Sequence, residues 1–400
     1  MKKLWLLSLL MLLIFTACRF SGEGYDDAVI PEELNGAEEL LDEEAYEDDA
    51  YENEDYQEYD EYEYVPEVIV IPLPTPAAVT EPALMFPYNQ LEEIAEYFAR
   101  LQAMWDEDDG EMWGMPLHAP VIIFCRITRA FATNMTPAHL DNLSRQYVGD
   151  TVVYTGEGLK RLFHYDPYSI ILSPWDGRTG IFITRQFIQA RYRGTSHPLI
   201  PPDRALAALS VINHVALHAI QHELMGFSGG AIPGALASNE VRISIELELR
   251  ALVHALSSEG ETRQAAILDA LSIRNARGEA LGSNFYFNRH MLGEGAPAYT
   301  ELHMVFSRDE IIAQIQTWPE YFAGILSPPL VLGQFGYLFG PLYGMLLDDH
   351  GVVWRRNLDI YTDIVQLLIE ALGITEFLPL DEIDLERYGY SEIVARVRIR

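Results

Sequence analysis

Apolar residues along the first half of the chain recur in two patterns. Over 91–105 they follow helical spacing, which predicts an amphipathic helix. A Thr-Pro pair at 136–137 predicts the start of a short helix that runs through 147. Short apolar runs predict four strands, at 121–127, 151–154, 169–172 and 181–183. The last two strands flank a turn at Asp176-Gly177, so they are expected to form a hairpin.

The second half of the chain is dominated by helical spacing. The predicted helices cover 203–224, 239–257, 260–275, 308–317, 335–349 and 357–371. Within the second of these, 241–249 also alternates apolar and polar residues, a pattern typical of a strand. The expected architecture is an α+β fold with a small N-terminal sheet followed by a mostly helical half.

The N-terminus has the features of an export signal. Lys2 and Lys3 precede an apolar stretch over 4–17, which is too short to span a hydrocarbon core of ~30 Å comfortably. The stretch ends in Ala17-Cys18, which resembles the lipobox of bacterial lipoproteins. The resemblance implies that Cys18 is lipidated, becomes the mature N-terminus and anchors the protein outside the cytoplasm on the cell membrane. An ordinary signal peptide or a signal anchor is the alternative.

Charge divides the rest of the chain. The net charge is −33, and 23–63 contributes 20 Asp or Glu residues without any Lys or Arg. We therefore expect an acidic disordered tether over 18–65, a proline-rich linker over 66–87 and one folded domain over 88–400. Nucleic acid is excluded as an expected partner, because the chain offers no basic patch.

The predicted helix 203–224 carries the candidate chemistry. His214, His218 and His222 follow one another at intervals of four residues, so they share one face of the helix. Two imidazoles one turn apart can bind a single zinc ion. Histidines on a helix can also be purely structural and bond locally. Here the flanking residues are apolar, which indicates a buried helix whose histidines need partners.

Two later motifs add a family resemblance. Glu294 lies in a Gly-Glu-Gly-Ala-Pro-Ala-Tyr-Thr-Glu stretch at 293–301, and 335–351 begins rich in Gly and Tyr and ends in Asp-Asp-His-Gly. Together with the histidine helix they resemble the gluzincin branch of zinc metallopeptidases. The resemblance implies a zincin-like fold, a zinc cofactor held by two histidines and Glu294, and a peptide or protein substrate.

The histidine helix departs from the family's H-E-x-x-H motif in every register. In the preferred register His218–His222, which follows an apolar lead-in, Ala219 occupies the place of the catalytic glutamate. Glu223 is the only nearby substitute, one turn or about 5.4–6 Å further along the helix.

The other registers fail as well. The register His214–His218 has Val215 at the glutamate place, and the register that begins at His222 has Gly226 instead of a second histidine. The inverted motif H-x-x-E-H would need a glutamate where Gln221 stands.

The third ligand has rivals to Glu294. Glu246 lies in a Glu-x-Glu-x-Arg-Ala stretch similar to helices of other small zinc peptidase-like families, but it can also simply pair with Arg250 at i,i+4. Glu240 follows an asparagine, similar to thermolysin-like enzymes. We rank Glu294 first, Glu246 second and Glu240 third. Tyr299 and His303 follow Glu294 closely, and ordinary packing is the simpler reading of both.

The sequence thus predicts a membrane-anchored zinc metallopeptidase-like lipoprotein, a possible pseudoenzyme with weak or absent peptidase activity. The alternative is a non-catalytic binding or scaffolding lipoprotein whose histidines are structural and hold no metal. The zinc hypothesis requires that His218, His222 and one carboxylate lie within ~5 Å of a common point.

Overall fold

The three-dimensional structure is a computed structural model. It describes residues 91–126, 129–134, 143–149, 151–155, 170–175, 178–184, 204–227, 231–325 and 327–398. From residue 91 onward these belong to one compact unit. The predicted signal peptide, Cys18, the acidic tether and the proline-rich linker lie outside the described residues.

An N-terminal sheet followed by helices confirms the predicted α+β class. After helix α1 (Leu91–Asp108), the described residues form six strands: β1 Val121–Arg126, β2 Arg129–Thr133, β3 Ser144–Val148, β4 Thr151–Thr155, β5 Ile170–Trp175 and β6 Arg178–Thr184. The strand order is β3-β4-β2-β1-β6-β5. Only β1 and β6 pair in parallel, with Val121 opposite Ile181, and the other neighbours are antiparallel.

Strand β3 corrects the predicted helix that was expected to run through residue 147. Its residues pair in full antiparallel register with β4, from Ser144 opposite Thr155 to Val148 opposite Thr151. Gly149, with a φ of 57°, begins the two-residue connection between the strands. A Gly-Asp pair between two strands is a hairpin signal, and it accounts for the strand at 144–148. The predicted helix start at 136–137 lies outside the described residues.

The helical half begins with α2 (Arg204–Met225), close to the predicted bounds. It continues with α3 Asn239–Leu256, α4 Gly260–Leu281, α5 Phe285–His290, a π-helix Met291–Gly295, α6 Ala296–His303, α7 Arg308–Ile315, α8 Trp318–Gly324, α9 Pro328–Asp349, α10 Ile364–Leu372 and α11 Tyr390–Arg398. Short 3₁₀ turns lie at Gly234–Leu236, Leu380–Glu382 and Leu385–Tyr388.

Two of these helices settle ambiguous or misplaced predictions. The alternating segment 241–249 is helical, because α3 is buried around most of its circumference and its pattern does not need to follow one periodicity. Helix α10 begins seven residues later than predicted. Its start is fixed by Asp363, whose carboxylate accepts from the backbone N–H groups of Val365 and Gln366.

The sheet and the helices meet at α2. Helix α1 packs on β3 and β4, whereas α2 packs on β5 and β6 and against α6. Trp105 of α1 donates its indole N–H to Asn213 Oδ1 of α2 at 2.8 Å. Trp113 donates to Thr300 Oγ1 of α6 at 2.9 Å. Both tryptophans are buried, so they fix α2 and α6 against the N-terminal layer.

Helix α9 is the central packing helix. Its segment Pro329–Asp349 is long and apolar enough to cross a membrane, but 89% of its most apolar window is buried inside the protein. Within the described part of the chain it is the one segment that passes this test. Such burial is expected of a helix that is apolar on all sides and lies in a protein core.

Candidate metal centre

Helix α2 is buried around its whole circumference between Leu209 and His218. Polar side chains on such a helix are costly unless each finds a partner. The buried polar residues of α2 are Ser210, Asn213, His214, His218 and Gln221. Ser210 and His214 face Glu301 of α6, whereas Gln221 reaches the π-helix. The polar stripe of α2 therefore faces the segment that carries Glu294.

His214 is oriented by a buried carboxylate and an aromatic ring. Its Nδ1 lies 3.1 Å from Glu301 Oε2, and the other oxygen of Glu301 accepts from Ser210 Oγ at 2.6 Å. The imidazole is stacked on Tyr337 with ring centroids 5.5 Å apart and planes within 5°. A carboxylate beside Nδ1 favours the tautomer with the proton on Nδ1, in which Nε2 carries a lone pair.

His218 is oriented by Gln221. The amide nitrogen of Gln221 is identified by its two acceptors, Leu292 O at 2.9 Å and Gly293 O at 3.0 Å. The amide oxygen consequently faces His218 Nδ1 at 2.8 Å and accepts a hydrogen bond from its N–H group. The Nε2 atom of His218 is then also a bare lone pair in the neutral ring.

Glu294 comes from the π-helix, which packs unusually close to α9. A Cβ added to Gly295 would lie 2.6 Å from Gly336 O and 2.7 Å from Gly340 Cα, so only glycines allow this approach. Single π turns inside helices are frequent at functional sites, because they redirect a side chain. The carboxylate of Glu294 is brought to the two histidines and keeps 15% of its side-chain surface exposed.

Three candidate ligand atoms therefore lie close to one point. Glu294 Oε2 lies 3.5 Å from His218 Nε2 and 3.9 Å from His214 Nε2, and the ligand atoms of all three residues lie within 4.8 Å of one another. Ligand atoms around a tetrahedral zinc with bonds of 2.0–2.1 Å are about 3.4 Å apart. A charge-assisted hydrogen bond would be shorter, about 2.7–2.9 Å. Among the described residues, His218 Nε2 and Glu294 Oε2 have no hydrogen-bond partner. His214, His218 and Glu294, which we call the metal group, could therefore hold a metal ion.

The electrostatics of the group favour an ionised carboxylate. Burial alone would raise the pKa of Glu294, but His218, His214 and His290 outweigh it and lower that pKa to about 2. Burial lowers the pKa of His218, and the facing Glu294 more than compensates, so the net shift is upward. In the absence of a bound cation, a protonated His218 can therefore balance the negative charge of Glu294.

A third histidine lies beside the group without joining it. His290 is 2% exposed, and its Nδ1 accepts a hydrogen bond from Gly336 N–H at 3.1 Å. Burial lowers its pKa to about 4, although Glu294 opposes this shift, so the ring is neutral at pH 7. Its structural role is to tie the end of α5 to α9.

The structure brings together two of the three predicted ligands, so the condition stated for His218, His222 and one carboxylate is not met. His218 and Glu294 converge, but His222 is exposed in the last turn of α2 and lies outside the group. His214 takes the place expected for His222. The predicted register is thus shifted by one turn towards the N-terminus of the helix. The reason is that α6 and α9 cover the helix at His214, whereas His222 faces solvent.

The same shift affects the catalytic residues. In the register His214–His218 the glutamate place is Val215, which is buried and cannot accept a proton. Glu223, the predicted substitute base, is exposed and lies eight residues beyond Val215, about 12 Å along the helix axis. The geometry therefore does not place Glu223 next to the metal group.

The rival third ligands have other partners. Glu246 is buried and pairs with Arg250 at 3.0 Å and, more closely, with Arg396. Glu240 lies exposed at the start of α3. Neither belongs to the metal group.

Tyr299 and His303 also lie in packing positions. Tyr299 donates to Asp348 at the end of α9, and its ring stacks on that of His303. These contacts link the Gly-Glu-Gly-Ala stretch to the Asp-Asp-His-Gly stretch. Tyr299 and His303 therefore hold the two segments together and do not belong to the metal group.

No family model, curated protein or solved structure matches this chain. The assignment of a function therefore rests on the geometry of the site itself.

Proposed function

We propose that this chain is an exported lipoprotein whose folded unit binds zinc in a metallopeptidase-like centre that lacks the hydrolytic base. The observation that carries the proposal is the convergence of three candidate ligand atoms, from His214, His218 and Glu294, within 4.8 Å of one another. Acceptors that face one another at 3.5–3.9 Å repel unless a cation or a proton lies among them. The Nδ1 atom of His218 is hydrogen-bonded to Gln221 and that of His214 lies 3.1 Å from Glu301, and metal-binding imidazoles usually have such partners.

Two imidazoles and one carboxylate form a donor set typical of zinc. Bound zinc would polarise a water molecule and lower its pKa towards ~7. A peptidase also needs a group that moves the proton to the leaving amine. Val215 cannot do so, and both oxygens of Glu301 are already engaged by Ser210 and His214. The centre therefore binds metal and a metal ligand without efficient hydrolysis, and its zincin-like character belongs to this proposal.

The location is proposed from the N-terminal signal alone. Cys18 carries the lipid, and the acidic and proline-rich segments connect it to the folded unit. Cys18→Ser is expected to release the protein from the membrane fraction or to block its processing. Unchanged membrane retention together with an unchanged N-terminus would refute the anchor.

A second candidate is a scaffold without metal, in which a proton occupies the site. The upward shift of the His218 pKa and the downward shift of the Glu294 pKa favour an ion pair in that case. The 3.5 Å separation of their facing atoms is long for such a pair, and this favours the metal.

Metal content separates the two candidates. Full-length protein, dialysed against buffer that contains zinc, iron(II) and manganese(II), is expected to retain one zinc per chain. His214→Ala and His218→Ala are expected to lose it, whereas the matched variant His222→Ala retains it. A metal-free wild type would establish the scaffold. Retention of iron instead of zinc would refute the zinc assignment, since two histidines and one carboxylate also suit that metal.

The missing base gives a second test. In the zinc-loaded protein, Val215→Glu places a carboxylate one residue after the first ligand and is expected to raise peptide cleavage about 10²–10⁴-fold over wild type. Ala219→Glu is the matched control, since it would act only in the register His218–His222. Circular dichroism shows whether each variant folds. Cleavage gained by Ala219→Glu alone would contradict the proposed ligand set, and robust wild-type cleavage would contradict the missing base.

A further inference from the structure

We infer that Gln221 is a positioning residue of the metal centre, because its one amide group sets the orientation of His218 and holds the turn that carries Glu294. The inference rests on the proposed function, since it assigns a role within that centre. Gln221 is fully buried on α2, one turn below His218. Its oxygen accepts from His218 Nδ1 at 2.8 Å, and its nitrogen donates to Leu292 O at 2.9 Å and to Gly293 O at 3.0 Å.

The two carbonyl groups need this donor because of Pro297. In a π turn the oxygen of Leu292 would accept from the N–H five residues later, which is position 297. In an α turn the oxygen of Gly293 would accept from the N–H four residues later, which is again position 297. Proline has no N–H, so each carbonyl loses one of its helical donors at the same residue. The amide nitrogen of Gln221 replaces that donor for both.

His218 needs the other end of the amide. Its ring is buried, and a neutral imidazole carries its proton on either nitrogen. The Gln221 oxygen holds that proton on Nδ1 and leaves Nε2 as a lone pair opposite Glu294. A ring that lost this acceptor could carry its proton on Nε2, where it would block a metal ion.

The amide therefore couples the two ligands. Gly293, whose carbonyl accepts from Gln221, directly precedes Glu294. Gly295 follows Glu294 and allows this π turn to pack closely against α9. The relative placement of His218 and Glu294 is thus fixed through one side chain rather than through two independent supports. Supporting residues of metal ligands typically contribute 10–100-fold to metal affinity.

Two substitutions and one control test this role in the full-length protein. Gln221→Met keeps the length of the side chain but removes both hydrogen-bonding ends. Gln221→Glu keeps an acceptor for His218 but places an oxygen opposite the two carbonyls. Gln366→Met is the control, since the side-chain amide of Gln366 donates to Glu370 on α10, outside the site. Zinc affinity is measured by competition with a chromophoric chelator. The tautomer of His218 is measured by ¹⁵N-histidine NMR on metal-free protein at alkaline pH, with His218→Ala to assign the signal.

We expect both Gln221 variants to bind zinc 10–100-fold more weakly than wild type and Gln366→Met to bind it unchanged. The Nδ1–H form of His218 should be retained in Gln221→Glu and lost as the dominant form in Gln221→Met. A mere stability role would move neither the tautomer nor the affinity of the folded protein.

Wild-type affinity and an unchanged tautomer in both variants would overturn the inference and leave the proposed function intact. If the wild type binds no zinc, the proposed function fails, and the tautomer alone then decides whether Gln221 positions His218. If Gln221→Met does not fold, Gln221→Glu decides, since its loss of zinc affinity with a retained tautomer is specific to the coupling.

Discussion

Two buried charged clusters of this protein differ in how their polar atoms face one another. The metal group consists of His214, His218 and Glu294. The second, which we call the arginine cluster, consists of Glu248 with Arg274, Arg277 and Tyr343. In the arginine cluster the carboxylate faces opposite charges: Oε1 accepts from Tyr343 at 2.6 Å and lies 3.5 Å from Arg274, and Oε2 forms an ion pair with Arg277 Nη1 at 2.6 Å.

The arginine cluster contains its own permanent positive charges, from Arg274 and Arg277. The guanidinium of Arg277 also lies over the rings of Phe287 and Phe335, at 4.9 and 5.5 Å from their centroids. Its charge is therefore balanced by a carboxylate and two aromatic faces. The metal group consists of two imidazoles and one carboxylate, so no permanent positive charge within it balances Glu294. The two clusters therefore differ in whether their own side chains supply the balancing cation.

Loss of Glu248 is expected to give the largest change in stability. Glu248→Ala leaves two buried guanidinium groups without their carboxylate, and removal of one partner of a buried ion pair costs about 3–5 kcal/mol. The loss should be equal with and without zinc, as measured by urea unfolding. A loss that appears only in zinc-loaded protein would show that the two clusters are not independent.

His290 is a third kind of buried titratable group. Unlike the arginine cluster and the metal group, it is kept neutral by burial. Its pKa falls from the ordinary 6.5 to about 4 in the folded protein, chiefly because burial disfavours the charged form. The unfolded chain binds the proton more readily, so the stability is present above pH 6.5 and is lost as the pH falls towards 4. The loss is of order 3 kcal/mol, at about 1.36 kcal/mol for each unit of pKa.

His290→Asn keeps an acceptor for Gly336 N–H and removes the titration. In metal-free protein it is expected to flatten the fall in unfolding free energy over this range. A wild type whose unfolding free energy does not change over the same range would contradict the assignment of a buried neutral ring.

The position of Glu294 in the metal group depends on close backbone packing between the π-helix and α9. Gly295→Ala would place a methyl group 2.6 Å from Gly336 O, and backbone must move to admit it. Overpacking of this kind costs about 1–3 kcal/mol. The shift would also displace Glu294, so zinc affinity should fall. Gly324→Ala, where a Cβ meets no atom within 4 Å, is the control and should leave both quantities unchanged. Unaltered zinc affinity in Gly295→Ala would show that this contact does not position the ligand.

The sequence was sufficient for the parts of the site that local pattern controls. Helical spacing gave α2, and the motif around Glu294 identified a residue that the fold brings to His218. The histidine register was not determined, since it depends on what covers the helix. His214 is chosen by Glu301 and Tyr337, which lie 87 and 123 residues further along the chain (301 − 214 and 337 − 214).

Backbone features were harder to predict than ligands. The π turn at Glu294 depends on Gly295, Gly336 and Gly340 meeting across two helices, which no local pattern encodes. Strand β3 was mistaken for a helix because its hairpin partner, and not its own spacing, determines its conformation. Contacts between residues far apart in the chain thus determine which histidines join Glu294, and pairing with β4 determines the conformation of the edge strand β3.

The most direct test of the account is X-ray absorption at the zinc edge, recorded on the full-length protein loaded with one equivalent of zinc. Zinc held by His214, His218 and Glu294 should show two imidazole nitrogens at about 2.0–2.1 Å and one carboxylate oxygen at about 2.0–2.2 Å, with the spectrum unchanged in His222→Ala and one imidazole lost in His214→Ala. A spectrum of hydrated, unbound zinc, or an imidazole lost in His222→Ala instead of His214→Ala, would contradict it.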